Sequence, residues 1–265
     1  MGLELKRRID LLLVERGLAP TRHKAQAMII AGQVLVDGQK AVKPGQAVPD
    51  EASIRILGVQ RYASRGGGKL EAALDRFEID VAGRICADLG ASTGGFTDCL
   101  LQRGAREVHA FDVGKGQLDW RLRSDRRVVV RDRFNVRYIT GADLPPGVSL
   151  VTVDLSFISL TKVLAPLYAA LRQVQEADRD AAPAGPIHII LLVKPQFEVG
   201  KGEVRKGGIV RDPAKRAAAL ASVESFALGA GYRVLGSIAS PVAGAEGNQE
   251  FLLYLQLPPG LSSPA

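Results

Sequence analysis

Four polar residues stand where the surrounding apolar pattern has no need of them. Lys69 follows Arg65-Gly66-Gly67-Gly68, Asp154 ends Val151-Thr152-Val153, Lys194 closes Ile189-Ile190-Leu191-Leu192-Val193 ahead of Pro195, and Glu250 opens the last strand-like stretch. A lysine at the mouth of a sheet, partly desolvated and near another cation, has its pKa lowered and becomes a candidate base. Asp154 and Lys194 fall at the carboxyl ends of two candidate parallel strands, the rim where open α/β sheets hold their ligands. Each of the four, taken alone, is equally compatible with an ion-paired surface group.

A second constellation lies upstream. Asp88-Leu89-Gly90-Ala91-Ser92-Thr93-Gly94-Gly95-Phe96-Thr97 carries a candidate strand into a glycine-rich turn and then a helix, so a ligand can approach the backbone at the helix N-terminus. A dinucleotide would need a second glycine where Ser92 stands, and there is no phosphate-loop lysine, so binding through phosphates is disfavoured. S-adenosylmethionine, which carries no phosphate, fits better. Asp112 ends the next strand and can accept from two ribose hydroxyls, and Asp132 after the third strand can accept from an adenine amino group.

These residues need a scaffold. From residue 84 the chain alternates strand-like stretches (84–89, 107–112, 128–131, 149–154, 187–193) with helical ones, which predicts a parallel sheet wrapped on both faces. Residues 232–238 and 250–257 lack an intervening helix and predict an antiparallel terminal hairpin, and Gln173–Pro186 predicts a surface loop. The first quarter differs. Ile9, Leu12 and Leu13 mark a helix stopped at Gly17, Thr21 caps a second helix ending at Gly32, and Val34-Leu35-Val36, the turn Asp37-Gly38 and Ser53–Ile56 predict a small sheet.

Charge follows the same division. The 265-residue chain has a formal net charge of +7, of which +6 falls in residues 1–69. Such an excess favours an acidic partner, above all nucleic acid. Arg22 and Lys24 occupy the first turn of the second helix, where the helix dipole disfavours cations, and join Arg7, Arg8 and Arg16 as candidates for phosphate contact. Cys86 and Cys99 are too few for a disulfide framework and predict buried small hydrophobes in a reducing compartment. No apolar run nears the roughly 18 residues a membrane span requires, and a cytoplasmic protein is expected. His23, His109 and His188 show no metal-ligand spacing.

Two resemblances organise these observations. Arg8-Ile9-Asp10-x-Leu12-Leu13, Gly17, Thr21-Arg22-x-x-Ala25 and Gly32-x-Val34-x-Val36-Asp37-Gly38 resemble an S4-type RNA-binding domain over about residues 7–60. Ser64-Arg65-Gly66-Gly67-x-Lys69-Leu70, the glycine turn, and Val193-Lys194-Pro195-Gln196-Phe197-Glu198, with Lys69, Asp154, Lys194 and Glu250, resemble the Lys-Asp-Lys-Glu tetrad of the FtsJ-like ribose 2′-O-methyltransferases. Together they are similar to the TlyA, or hemolysin A, family of ribosomal RNA methyltransferases.

The resemblance implies a Rossmann-like class I methyltransferase sheet with an antiparallel terminal hairpin, preceded by a small α+β S4-like domain. The expected boundaries are 1–60 for the S4-like domain, 61–68 for a linker, 69–258 for the methyltransferase domain and 259–265 for a flexible tail. It implies methyl transfer from S-adenosylmethionine to a cytidine 2′-hydroxyl in ribosomal RNA, on the RNA or on ribosomal subunits, with no metal and no stable membrane association. Lys69, Asp154, Lys194 and Glu250 are the expected catalytic residues: Lys194 acts on the hydroxyl, Asp154 orients it, Lys69 lowers its pKa and steadies the oxyanion, and Glu250 positions the lysines. Asp88, Gly90, Ser92, Gly94, Gly95, Phe96, Asp112 and Asp132 are the expected cofactor residues. Arg65, Lys201, Arg205 and Lys206 join the basic residues above as RNA contacts, the last three in a basic lid over Gly200–Gly208, and Gln60–Gly68 is a candidate relay between RNA engagement and cofactor site. The sequence departs from the family pattern in two places, where a Tyr-like residue is expected near Lys115 and a Thr near Phe134. The hemolysin label also suggests a membrane-active protein, and loss of activity would leave an RNA-binding regulator.

Overall fold

The computed structural model describes residues 6–57, 61–177, 185–200, 208–244 and 247–259. The chain forms two compact units, residues 1–60 and 61–265. In the first, β1 (Lys6–Arg8) leads into α1 (Ile9–Glu15) and α2 (Arg22–Ile30), followed by β2 (Val34–Val36), β3 (Gln39–Lys40), β4 (Ala47–Pro49) and β5 (Ile54–Ile56). Ile9, Leu12 and Leu13 from α1 meet Ala25 and Ile29 from α2 over Val34 and Val48 in one apolar cluster. The Thr21 hydroxyl accepts from the Lys24 amide, which caps α2 as its sequence predicts. Asp37 and Gly38 both take positive φ, 48° and 81°, the geometry a two-residue hairpin turn requires between β2 and β3. The antiparallel β1–β4 pair is not foreseeable from residue pattern, because Lys6-Arg7-Arg8 is wholly charged and shows no apolar alternation.

The buried acidic residue in α1 organises its surroundings. The Asp10 carboxylate is fully buried and accepts from Arg8 Nε and Nη2 (3.0 and 2.9 Å), Arg22 Nε (3.0 Å) and Gln26 Nε2 (2.9 Å). These donors, Arg8 foremost, hold its carboxyl well below the usual carboxylate range despite burial.

The second unit contains α3 (Gly66–Arg76), β6 (Ile85–Leu89), α4 (Gly95–Gln102), β7 (Glu107–Asp112), α5 (Trp120–Arg123), β8 (Val128–Asp132), β9 (Val148–Val153), α6 (Thr161–Ala177), β10 (Ile187–Val193), α7 (Pro195–Glu198), α8 (Pro213–Gly229), β11 (Arg233–Ala239) and β12 (Phe251–Leu257). Its seven-stranded sheet runs β11-β12-β10-β9-β6-β7-β8, with β6 to β10 mutually parallel and β12 inserted antiparallel between β10 and β11. The strand β10 shows why its sequence is almost continuously apolar. Ile187, Ile189, Leu191 and Val193 pack on the side of α6 and α8, whereas Ile190 and Leu192 pack on the side of α3 and α4. Burying each such side chain contributes roughly 1.5–3 kcal/mol. Cys86 and Cys99 are free and buried, and burial pushes each thiol up to about 12.

Two expectations need correction. Residues 61–68 are not a linker between units but belong to the second: Tyr62 is buried, the Ala63 amide donates to Asp98, and α3 starts at Gly66. Three consecutive glycines argue against a helix on propensity, and the turn forms because Ser64 accepts from the Gly66 and Gly67 amides. The expected loop from Gln173 is also shortened, since α6 runs to Ala177 with Val174 and Gln175 buried. Gln175 is drawn inward by the carbonyls of Gly185 and Pro258, partners distant in sequence. The expected tail from 259 falls, beyond Pro259, outside the described residues.

Removing the buried acid tests the role of the Asp10 cluster. Asp10→Ala is expected to destabilise the first unit by about 2–3 kcal/mol, the worth of its charge-assisted hydrogen bonds, read as faster hydrogen exchange at the Ala25 and Ile29 amides. Unchanged exchange there would refute it.

Candidate active site

At the carboxyl edge of the sheet the chain turns sharply after β6. The Gly90 and Ala91 amides both donate to the Phe111 carbonyl (2.9 and 3.0 Å), and Gly90 adopts φ +90°. A Cβ there would lie 2.3 Å from the Asp154 carbonyl oxygen, so only glycine lets the two strand ends approach. The Asp154 amide completes the contact by donating to the Leu89 carbonyl at 2.9 Å.

Two adjoining clefts open here, of about 520 and 440 Å³, sharing Gly90, Ser92, Asp154, Ser156 and Phe157 in their walls. The first brings together Lys69 from α3, Asp154 after β9, Lys194 after β10 and Glu250 ahead of β12. They form two ion pairs. Lys69 Nζ meets Glu250 Oε2 at 2.5 Å in a buried site, and Lys194 Nζ lies 2.6 Å from Asp154 Oδ1 and donates to Ser156 Oγ at 2.9 Å. Two ammonium groups and two carboxylates facing one cleft can orient a hydroxyl, take its proton and steady the resulting oxygen charge.

The second cleft is lined by Asp112 and by Phe111, Val113, Phe134, Leu155 and Ile158. Asp112 accepts one backbone amide on each oxygen, from Ser92 at 2.8 Å and Gly114 at 2.7 Å. Each oxygen keeps a further lone pair for a ligand hydroxyl. Phe134, one of the departures from the family pattern, packs edge-on against Phe111 and supplies part of this apolar wall.

The family model for FtsJ-like methyltransferases matches residues 62–257, and that for the S4 domain matches residues 7–54. The 16S/23S rRNA (cytidine-2′-O)-methyltransferase TlyA of Mycobacterium tuberculosis is 48% identical over 251 residues, 94% of this chain and 89% of that protein. The chain belongs to the TlyA family of FtsJ-like methyltransferases. Hemolysin A of Brachyspira hyodysenteriae is 38% identical over 93% of this chain and 98% of its own. A solved Streptococcus thermophilus structure described as a candidate hemolysin is 39% identical, with a TM-score of 0.70, covering 97% of this chain and 90% of that one.

Against the TlyA-family pattern, the structure sorts the expected cofactor residues. Gly90, Ser92, Gly95, Phe96 and Asp112 line the clefts. Asp88, Gly94 and Asp132 do not, among the residues described. Asp88 lies wholly buried beneath the turn and accepts from the Thr97 and Thr152 hydroxyls at 2.6 and 2.9 Å, so it braces the loop from below. Gly94 takes φ +97°, and a Cβ there would meet Leu122 at 2.3 Å and Leu118 at 2.8 Å; it fits the loop against the core. Asp132 is occupied by Arg123 at 2.9 Å and by the Gly116 amide at 3.2 Å. Its position at a strand end gave no hint that an arginine nine residues earlier would claim it.

The basic residues divide similarly. Arg65 is exposed and lines the lysine-bearing cleft, and Lys24 is exposed on α2. Arg8 and Arg22 are tied to Asp10 with about half of each side chain exposed (47% and 52%). Arg7 pairs with Glu15 and Asp50, and Arg16 donates to the carbonyls of Asp50 and Ala52, so both also hold the unit together. Lys201, Arg205, Lys206 and most of the expected lid lie outside the described residues. Ser64, Ser156, Phe157, Gln196 and Asn248 also line the clefts and were not singled out as site residues. Proximity to Asp154 or Lys194 in sequence was the available signal for three of them.

Two measurements follow. Glu250→Leu strands the buried Lys69 ammonium and is expected to cost about 3–5 kcal/mol of stability; adding Lys69→Met should recover most of that in urea unfolding, and additive losses would contradict the pairing. Burial pushes the Asp88 carboxyl up to about 6, with the two threonine hydroxyls opposing the rise. A raised folded-state value means its contribution is full below about pH 4 and is lost as pH rises through about 6, by roughly 3 kcal/mol. The stability difference between wild type and Asp88→Asn should therefore fall over that window, and a flat difference would refute the assignment.

Proposed function

We propose that the protein transfers a methyl group from S-adenosylmethionine to the 2′-hydroxyl of a cytidine in ribosomal RNA, with residues 1–60 docking the RNA and residues from 61 onward carrying the chemistry. The carrying observation is that the two lysine–carboxylate pairs face one cleft that continues into the cleft holding Asp112. The relatives' names support the reaction and the substrate. A protein that modifies ribosomal RNA would act in the cytoplasm.

The residues fit this cofactor. The Asp112 carboxylate has free lone pairs for ribose hydroxyls, Phe134, Val113 and Ile158 offer apolar walls to adenine, and the glycine turn admits the methionine end. Gln196 Oε1 is buried on the first cleft with no partner among the described residues, leaving an acceptor for a ligand. When bound, the cofactor supplies an electrophilic methyl group. Lys194, held by Asp154 and Ser156, then acts on the incoming hydroxyl as hydrogen-bond partner, or takes its proton once it has itself given one up and stands as the neutral amine. Lys69, fixed by Glu250, steadies negative charge as it develops on the ribose oxygen. Held this way, the hydroxyl is oriented before reaction, which removes much of the entropic barrier.

Some relatives bear the name hemolysin; among the described residues no helix is long and apolar enough to cross a membrane. Incubation with radiolabelled S-adenosylmethionine and separated ribosomal subunits, followed by mapping of 2′-O-methyl sites, should label cytidine ribose. Lys69→Met and Lys194→Met should each lower turnover by about 100-fold or more while cofactor binding persists. Label found only in protein or small molecules would overturn the proposal.

A further inference from the structure

Lys194 is held by two partners of different kinds. Its Nζ lies 2.6 Å from Asp154 Oδ1, yet that buried oxygen accepts no hydrogen bond among the described residues, so the pair is one of charge alone. The hydrogen bond goes instead to Ser156 Oγ, at 2.9 Å. Attraction between charges has little directional preference, whereas a hydrogen bond weakens steeply as it bends. An amine turns about its Cε–Nζ bond, and one N–H fixed on an acceptor sets the directions of the others, and of the lone pair in the neutral form. Ser156 stands beside that amine in the wall shared by both clefts.

Ser156 is itself an exposed side chain in the loop after β9, and that loop is fastened from the neighbouring segment. Glu198 ends α7, and its carboxylate accepts from the Ser159 hydroxyl at 2.6 Å and the Leu160 amide at 2.9 Å. Lys194 and Glu198 lie four residues apart, as do Ser156 and Leu160, so the loop after β9 and the turn after β10 are joined by two rungs. The Ser159 hydroxyl also meets Thr161 Oγ1 at 2.8 Å, a contact within its own segment. Burial raises the Glu198 carboxyl above the ordinary value, with Ser159 and Leu160 opposing the rise.

We propose that Ser156 is the positioning residue that aims Lys194 at the incoming ribose hydroxyl, and that Glu198 holds the loop presenting Ser156, so that Glu198 acts on the chemistry through it. Asp154 supplies the charge that keeps the amine in the cleft, and Ser156 supplies its direction. Misplacing a reacting group by about 1 Å can slow a reaction about 100-fold, which is why direction matters here as much as proximity. This proposal rests on the RNA methyl-transfer reading above and deepens it.

The test uses the full-length protein, ribosomal subunits and S-adenosylmethionine. Ser156→Ala is expected to lower kcat by about tenfold or more, with KM for the subunits and calorimetric cofactor affinity within about twofold of wild type. Ser156→Thr, which keeps the hydroxyl, should recover most of the loss. Glu198→Ala should lower kcat comparably, and Glu198→Gln, which keeps one acceptor oxygen, should recover part of it. Adding Glu198→Ala to Ser156→Ala should cost less than about a further twofold, because the one residue acts through the other; losses that multiply would overturn that coupling. Full activity in Ser156→Ala, or a loss matched by weaker cofactor binding, would overturn the aiming role. A crystal structure of Ser156→Ala reads the same point without turnover: Lys194 Nζ is expected to shift by about 1 Å or more, and an unmoved Nζ would sink the proposal. If Nζ shifts but the wild type labels no RNA, the methyltransferase reading falls and the hold of Ser156 on Lys194 stands.

Discussion

The buried contact between Lys69 and Glu250 closes the site. It joins residues 181 positions apart, one in the first helix of the second unit and one entering its last strand, at 2.5 Å. A lone ammonium or carboxylate at such a position would be costly to desolvate, so each charge requires the other. The consequence is geometric: α3 and the start of β12 are fixed on one side of the cleft, leaving Asp154 and Lys194 to form their pair at the adjoining strand ends.

The parallel sheet makes the closure useful. Because β6, β7, β9 and β10 run the same way, their carboxyl ends bring the glycine turn, Asp112, Asp154 and Lys194 to one edge. The approach of Gly90 to the Asp154 carbonyl shows how tightly those ends are drawn together. Asp88, buried below and braced by two threonines, supports the turn without reaching the ligand clefts. Binding walls and reactive groups thus occupy adjoining spaces with a shared floor, which is what transfer between two bound molecules demands.

Charge plays different parts in the two units. In the first, the excess that suggested nucleic acid is partly invested in structure: Asp10 gathers Arg8 and Arg22, and Arg7 and Arg16 are bonded within the unit. An arginine held by a carboxylate on one side can still present its remaining N–H groups outward, already oriented. In the second unit charges also pair locally, as Asp132 with Arg123 illustrates.

Periodicity and glycine placement determined the broad architecture from sequence alone. Strand β10 reads as buried on both faces, Thr21 as a cap, Asp37-Gly38 as a hairpin turn and the Gly90 loop as a ligand turn, because each depends on local conformation or on a pattern of two or 3.6 residues. The four residues that meet in the cleft were also legible, Asp154, Lys194 and Glu250 because a polar side chain bounds an apolar strand-like run, and Lys69 from the motif around it. Only tertiary structure decided which lysine meets which carboxylate, that Asp132 and Asp88 serve other partners, that residues 61–68 are folded into the second unit, and that Lys194 and Glu198 both bond to the loop after β9. Those outcomes turn on contacts between residues far apart in the chain, whose distances no local pattern encodes.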